Sequence, residues 1–343
     1  MGKKGILSAV LIGCAVAAGA WTCDFESGLS QWKVYSKATP VQLIDDPDTA
    51  YGKVARITAN HDAPGMNSDF FPVFAENAGK PWKIEFDLHS EGNISGGCTV
   101  SMQYFDAKRA KVGQHTLLHV KPSDGAFGWK HFTASVGTGK NVIPENAALA
   151  SLRFGFWNKE LNCTGTIVVD NVKIVPPEIE GSKWTSDFES GLKEWKYSSR
   201  MTPVELIDDP DPLHGKAARI AANHDVPGMN SKNFPVPAGI KGKPWIIEFD
   251  LRSEGNINGS CTVGMQYFDA KGSRVGQHPL LYVKKGEGAF GWRNYYTTVG
   301  TGKYEIPEGA VTASLRFGFW NKELDCTGTI AVDNVKIQIP KGE

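Results

Sequence analysis

Apolar and polar residues alternate along this chain with a period of two rather than 3.6. Ile84, Phe86 and Leu88 are interleaved with Glu85, Asp87 and His89, and Leu152, Phe154 and Phe156 with Arg153, Gly155 and Trp157. Successive side chains of an extended strand point to opposite faces, so this alternation predicts strands with one face in a core and the other in solvent. Thr99 to Phe105, Ile167 to Val169 and Val172 to Ile174 add further β-rich runs. Turn clusters such as Asp45-Asp46-Pro47-Asp48 and Ala63-Pro64-Gly65 separate them. Beyond the N-terminal segment, no stretch carries a long amphipathic helical stripe. Short strands with turn signals between them predict an all-β chain, a two-sheet β-sandwich of jelly-roll type.

The pattern occurs twice. Asp24-Phe25-Glu26-Ser27-Gly28-Leu29 returns as Asp187-Phe188-Glu189-Ser190-Gly191-Leu192, and Leu152–Leu161 returns as Leu315–Leu324, at a constant offset of 163 residues. Each copy is the size of one domain, far longer than the period of a solenoid. The expected division is a first jelly-roll domain over residues 22–176, a short linker over 177–183, and a second over 184–339. The Pro176-Pro177 pair stiffens the junction. A weak binder gains from duplication because its second contact becomes intramolecular, whereas an enzyme gains little from two near-identical active domains in series.

Lys3-Lys4, the apolar run Ile6 to Ala20 and the small-residue exit Ala18-Gly19-Ala20 predict a secretory signal peptide over residues 1–20 and a secreted location. Leu11-Ile12-Gly13-Cys14 also resembles a bacterial lipobox, in which Cys14 would carry a lipid anchor at the cell surface. Lys plus Arg and Asp plus Glu both number 37, a balance that argues against a nucleic-acid partner and for neutral or mildly charged ligands. Of the six cysteines, Cys98/Cys163 and Cys261/Cys326 keep the same separation in both copies. In an oxidising compartment they predict one disulfide per domain. Cys23, opposite Ser186 of the second copy, is left as a free thiol or an intermolecular link.

Asp24-Phe25-Glu26-Ser27-Gly28 with Trp32, Gly52-Lys53-Val54-Ala55-Arg56-Ile57, and Val169-Asp170-Asn171-Val172-Lys173-Ile174 together resemble the framework of jelly-roll carbohydrate-binding modules. The resemblance is to the galactose-binding-like cluster around families four, nine, sixteen and twenty-two, and it spans both repeats. In that group a structural calcium commonly joins the first strand to the last. Carried over by position, the resemblance implies Ca2+ ligands at Glu26 and Asp170 in the first copy and Glu189 and Asp333 in the second. Asp24 and Asp187, with carbonyls near Gly52 and Gly215, stand beside them. Calcium takes six to eight hard oxygens in irregular geometry, which such a set can supply. The alternative is that the acids are exposed strand ends and that Asp170 forms a turn.

A sugar is gripped by a flat aromatic ring against its C–H face and by side chains that hydrogen-bond its hydroxyls. Trp157 and Arg153 run out of phase with Phe154 and Phe156, so they share the opposite face, as do Trp320 and Arg316. Gln103 and its counterpart Gln266 fall in either phase. His61 and His224, in repeated Asn-His-Asp loops, and His115 and His278, in repeated Gln-His pairs, complete the expected carbohydrate-binding set. Trp32, Trp82 and Trp129, with Trp195, Trp245 and Trp292, read as packing residues. A polysaccharide lyase could draw on Arg153, Gln103, His115 and Tyr104 for charge neutralisation and proton transfer. The strand motifs of that enzyme class and a serine nucleophile elbow are absent. The expectation is a secreted, non-catalytic tandem carbohydrate binder, with a structural or adhesive spacer as the rival.

Overall fold

The computed structural model describes residues 20–35, 40–157, 162–197, 203–284, 288–320 and 325–342. The first copy opens with β1 (Trp21–Cys23), β2 (Trp32–Tyr35), β3 (Gln42–Asp45), β4 (Lys53–Asp62), β5 (Gly65–Ser68) and β6 (Phe71–Pro72). It continues with β7 (Trp82–Ser95), β8 (Gly97–Phe105), β9 (Lys111–Val120), β10 (Phe127–Val136), β11 (Leu149–Trp157) and β12 (Cys163–Val175). The second copy repeats the order: β13 (Gly181–Ser186), β14 (Trp195–Tyr197), β15 (Glu205–Asp208), β16 (Lys216–Asp225), β17 (Gly228–Ser231) and β18 (Phe234–Pro235). Then follow β19 (Trp245–Asn258), β20 (Ser260–Phe268), β21 (Arg274–Val283), β22 (Phe290–Val299), β23 (Thr312–Trp320) and β24 (Cys326–Pro340).

In each copy the strands form two antiparallel sheets packed face to face, the jelly-roll sandwich that the alternation predicts. The first copy orders them β10-β7-β12-β4-β3, with β1 also on β12, and β2-β5-β11-β8-β9, with β6 also on β11. The pairing of β1 with β12, Trp21 opposite Ile174 and Cys23 opposite Val172, ties the start of the domain to its end. Between the sheets Phe86 meets Phe154 edge-on at 5.3 Å, and Phe25 stacks on Trp32 at 5.6 Å. Trp32, Trp82 and their counterparts Trp195 and Trp245 are buried in the cores, as expected of packing residues. Trp129 lies half-buried with its ring stacked on Tyr51 at 4.1 Å.

The expected disulfides are not formed. Cys98, Cys163, Cys261 and Cys326, like Cys23, are buried free thiols. Cys98 stands on β8 and Cys163 on β12, in opposing sheets, so their equal spacing in the two copies reflects duplication of two core positions. Burial pushes the thiols of Cys98 and Cys261 up to about 12, which suppresses the thiolate that oxidation requires. Cys23 is no intermolecular link either. Its sulfur is buried and accepts the Trp32 indole N–H at 3.3 Å, and Ser186 does the same for Trp195 at 3.0 Å, which explains why serine can replace cysteine there. Cys14, its lipobox and the signal segment up to residue 19 lie outside the described residues. Among the described residues no helix is long and apolar enough to cross a membrane.

A thiol reagent is therefore expected to label none of the five described cysteines in the native protein and all of them after denaturation. A reductant should leave the unfolding temperature unchanged; a clear drop would contradict the free-thiol assignment.

Candidate functional site

Leu152, Phe154 and Phe156 are wholly buried while Trp157 is 59% exposed, so β11 divides as its alternation requires. Arg153 lies on the same outer face as Trp157. Met102 and Tyr104 are buried, which turns Gln103 of β8 outward and settles its phase. Across this sheet Arg153 lies opposite Asn67 of β5 and Ser101 of β8, and Gln103 lies opposite Gln114 of β9.

These side chains form a continuous hydrogen-bonded row. Arg153 Nη1 donates to Asn67 Oδ1 at 3.2 Å, Asn67 Nδ2 to Gln103 Oε1 at 2.9 Å, and Gln103 Nε2 to Gln114 Oε1 at 3.2 Å. Lys111 Nζ closes the row on Gln114 Oε1 at 2.6 Å. The second copy reproduces it through Arg316, Asn230, Gln266, Gln277 and Arg274 at 3.3, 2.8, 3.4 and 3.4 Å. Each amide is oriented by the next, so much of the rotamer entropy that a ligand would otherwise cost is already lost. The Arg153 guanidinium lies over the ring of Tyr35, 5.9 Å from its centroid. Gly65 and Gly155 pair across the strands beneath it, and a Cβ on either would strike the guanidinium. Burial lowers the pKa of both Arg153 and Arg316.

The structure brings Arg153, Trp157 and Gln103 together on this face, and Arg316, Trp320 and Gln266 on its counterpart. It does not bring the histidines. His115 stands opposite Met102 on the inner side of β9, edge-on to Tyr104, and its Nε2 is 2.8 Å from the carbonyl of Val142. His278 holds the carbonyl of Glu305 in the same way at 2.6 Å. His61 and His224 belong to strands of the other sheet, with positive φ of 57° each, and bond Asn162 and Asp325 at 2.8 Å. Each is held by a hydrogen bond within the fold, away from the row. The face also carries residues that the sequence did not single out: Tyr35, Asn67, Gln114 and Lys111, with Asn230, Gln277 and Arg274 in the second copy. Asn67 lies in a repeated Pro-Gly-Met-Asn-Ser segment and Gln114 beside His115, so the repeat marks both segments without resolving which residue faces out.

A second cluster gathers carboxylates where β1 leaves for the rest of the chain. Glu26 Oε1 accepts the N–H of Lys53 at 2.5 Å, and its carboxylate lies where a Cβ on Gly52, at φ of 61°, would fall. Glu189 and Gly215 repeat this with Lys216 at 2.6 Å. Asp170 and Asp333 are each 1% exposed, with one oxygen, Oδ1, buried and unpartnered. Asp170 is therefore no exposed turn acid. Burial, then Asp24, Asp87 and Glu26, raise its carboxyl to about 8. Burial raises Asp333 as well, to about 6, against the pull of His214, which stands where the first copy has Tyr51 and bonds its other oxygen at 3.2 Å. An unpartnered hard oxygen in each copy fits the donor chemistry of calcium. Among the described residues, however, no three His, Cys, Asp or Glu side chains converge as a metal-binding group.

No family model and no curated protein matches the chain. Its structural neighbours include carbohydrate-binding modules, a tandem pair among them, and enzymes. The tandem CBM22-1–CBM22-2 domain of Paenibacillus barcinonensis Xyn10C is 12% identical, covering 95% of this chain and 99% of its own, with a TM-score of 0.34. The family 11 module of the Clostridium thermocellum cellulase Lic26A-Cel5E is 15% identical over 48% of this chain and 97% of its own, with a TM-score of 0.32. The enzymatically active domain of tailspike protein 4 from bacteriophage CBA120 is 14% identical over 43% of this chain and 20% of its own, with a TM-score of 0.33.

A carboxyl whose folded pKa lies above its unfolded value contributes stability that is complete below the unfolded pKa, about 4, and is lost as pH climbs to the folded one. For Asp170 that window runs up to about 8. In chelator-containing buffer the first sandwich should unfold at a lower temperature at pH 8 than at about pH 5, and Asp170→Asn should flatten the slope. An unchanged slope would contradict the assignment.

Proposed function

We propose that this chain is a secreted, non-catalytic carbohydrate-binding protein whose two sheet faces, one around Arg153 and Trp157 and one around Arg316 and Trp320, each grip a stretch of polysaccharide. The observation that carries the reading is the pairing of an outward indole, 59% exposed at Trp157 and 56% at Trp320, with a pre-ordered row of amides and cations on the same face. A large exposed ring held on a strand offers stacking surface at little entropic cost, and the row supplies donors and acceptors for hydroxyls. A spacer domain has no use for that combination, so the row favours binding over the adhesive-spacer reading.

Two features argue against catalysis. Tyr104 is fully buried, and His115 lies on the inner side of its strand, so neither of the proton-transfer groups a lyase would need shares the face with Arg153 and Gln103. The copies are not identical binders. Tyr282 stands where the first copy has His119, giving the sheet that carries Trp320 another exposed ring, 56% accessible. The second site should stack the stronger of the two.

Calcium belongs to the same reading as a structural ion in each copy. Asp170 and Glu26, or Asp333 and Glu189, would supply carboxylate oxygens, with main-chain carbonyls completing the shell, and the ion would neutralise the charge that burial makes costly.

Affinity electrophoresis through gels containing soluble polysaccharides tests the proposal. The wild type should be retarded on at least one neutral or sparsely acidic polysaccharide without cleaving it, and chelator should weaken the retardation. Trp157→Ala with Trp320→Ala should remove it, each ring contributing about 2 kcal/mol or roughly thirty-fold in affinity. Retardation undiminished by both substitutions would refute the assigned face, and cleavage would refute the non-catalytic role.

A further inference from the structure

The two copies meet through surfaces that are not equivalent. Strand β22, at the edge of its sheet in the second copy, lies against the segment following β1 in the first. Ser27 Oγ donates to the carbonyl of Trp292 at 2.5 Å, Gln31 Nε2 to that of Asn294 at 2.5 Å, and Arg293 Nη2 to that of Ser27 at 3.4 Å. Phe71 meets Tyr296 edge-on at 6.4 Å. Beside them Phe74 of the first copy, Ile179 of the junction and Ile246 of the second form one apolar cluster against Tyr296.

The duplication supplies an internal comparison. At the positions matching Ile246 and Tyr296, the first copy carries Lys83 and Thr133, both exposed on the uncovered face of its own sheet. Ile246 is 1% exposed. On the opposite side, Ser190 and Glu194 match Ser27 and Gln31. Both are exposed, and Glu194 is engaged by Lys232 at 2.5 Å instead. Apolar Ile246 and Tyr296 thus stand where the copies touch, and polar Lys83 and Thr133 stand at the same places where they do not. A head-to-tail contact of this kind could propagate into a filament only if both unmatched surfaces kept the complementary residues, and they have not.

We infer that the two sandwiches are docked as one rigid body through an interface particular to this order of the copies. The two sugar faces are then held at a single spacing rather than strung on a flexible linker. The docking stands on the contacts alone; the fixed spacing of ligand sites rests on the carbohydrate-binding reading. For a bivalent binder, a fixed separation gives a high effective concentration for a polymer whose repeat matches it and little for one whose repeat does not.

The test uses the full chain carrying Ile246→Lys with Tyr296→Thr, and separately Ser27→Glu, a change on the first copy's surface that leaves both cores untouched. Both variants should keep the far-ultraviolet spectrum of the folded protein and increase the maximum dimension in small-angle scattering. Amide exchange along residues 290–299 should accelerate about tenfold or more. Lys83→Ala and Thr133→Ala, at the uncovered equivalents, should change neither readout. Scattering and exchange unaltered by Ser27→Glu would overturn the docking, as would a wild-type mass that grows with concentration. Undiminished polysaccharide affinity in an opened Ser27→Glu pair would overturn the fixed spacing. A wild type that binds no polysaccharide would overturn the sugar reading, not the docking.

Discussion

Everything on the candidate face depends on where Phe154 and Phe156 go. Both rings are fully buried between the sheets, Phe154 against Phe86, and a strand so anchored cannot slip by one residue without driving Arg153 and Trp157 into the core. Core packing, not the polar residues themselves, therefore sets which groups stand on the outer face. The polar row then builds on that register: Asn67, Gln103 and Gln114 come from three different strands, and they can bond in sequence because β11, β8, β5 and β9 are held in one alignment.

The same constraint explains the glycines. The guanidinium of Arg153 lies low over the sheet beside Tyr35, and it can do so because Gly65 and Gly155 leave the floor clear. In the second copy Gly228 and Gly318 do this for Arg316. Around that shared frame the copies differ in ways that each have a local meaning: Tyr282 for His119 at the face, His214 for Tyr51 beside the buried carboxylate, and Ile246 and Tyr296 for Lys83 and Thr133 at the seam.

The sandwich was legible because period-two alternation is a direct print of burial on a strand, and the long repeat made the duplication plain. Arg153 and Trp157 were legible for the same reason, being fixed in phase by their own strand. Gln103 was not, since Met102 and Tyr104 on either side left its phase open until the pairing with β11 was known. The histidines misled because chemical versatility is a property of the side chain and not of its position: His115 and Gln114 are neighbours in sequence and lie on opposite faces. The cysteines misled because matched spacing in a duplicated chain records ancestry, and two core thiols in opposing sheets need not bond. The docking of the copies lay beyond any local pattern, because it joins residues far apart in sequence, Ser27 to Trp292 and Phe71 to Tyr296.

The central claim is that ligand contacts this one sheet face in each copy. Titrating the isotope-labelled protein with an oligosaccharide of the polysaccharide that retards it, and following side-chain resonances, tests that most directly. The account predicts shifts at the indole of Trp157 and the amides of Asn67, Gln103 and Gln114, with the same set in the second copy and Tyr282 added. Shifts centred instead on Tyr51 and Trp129, with the Trp157 face unmoved, would contradict it.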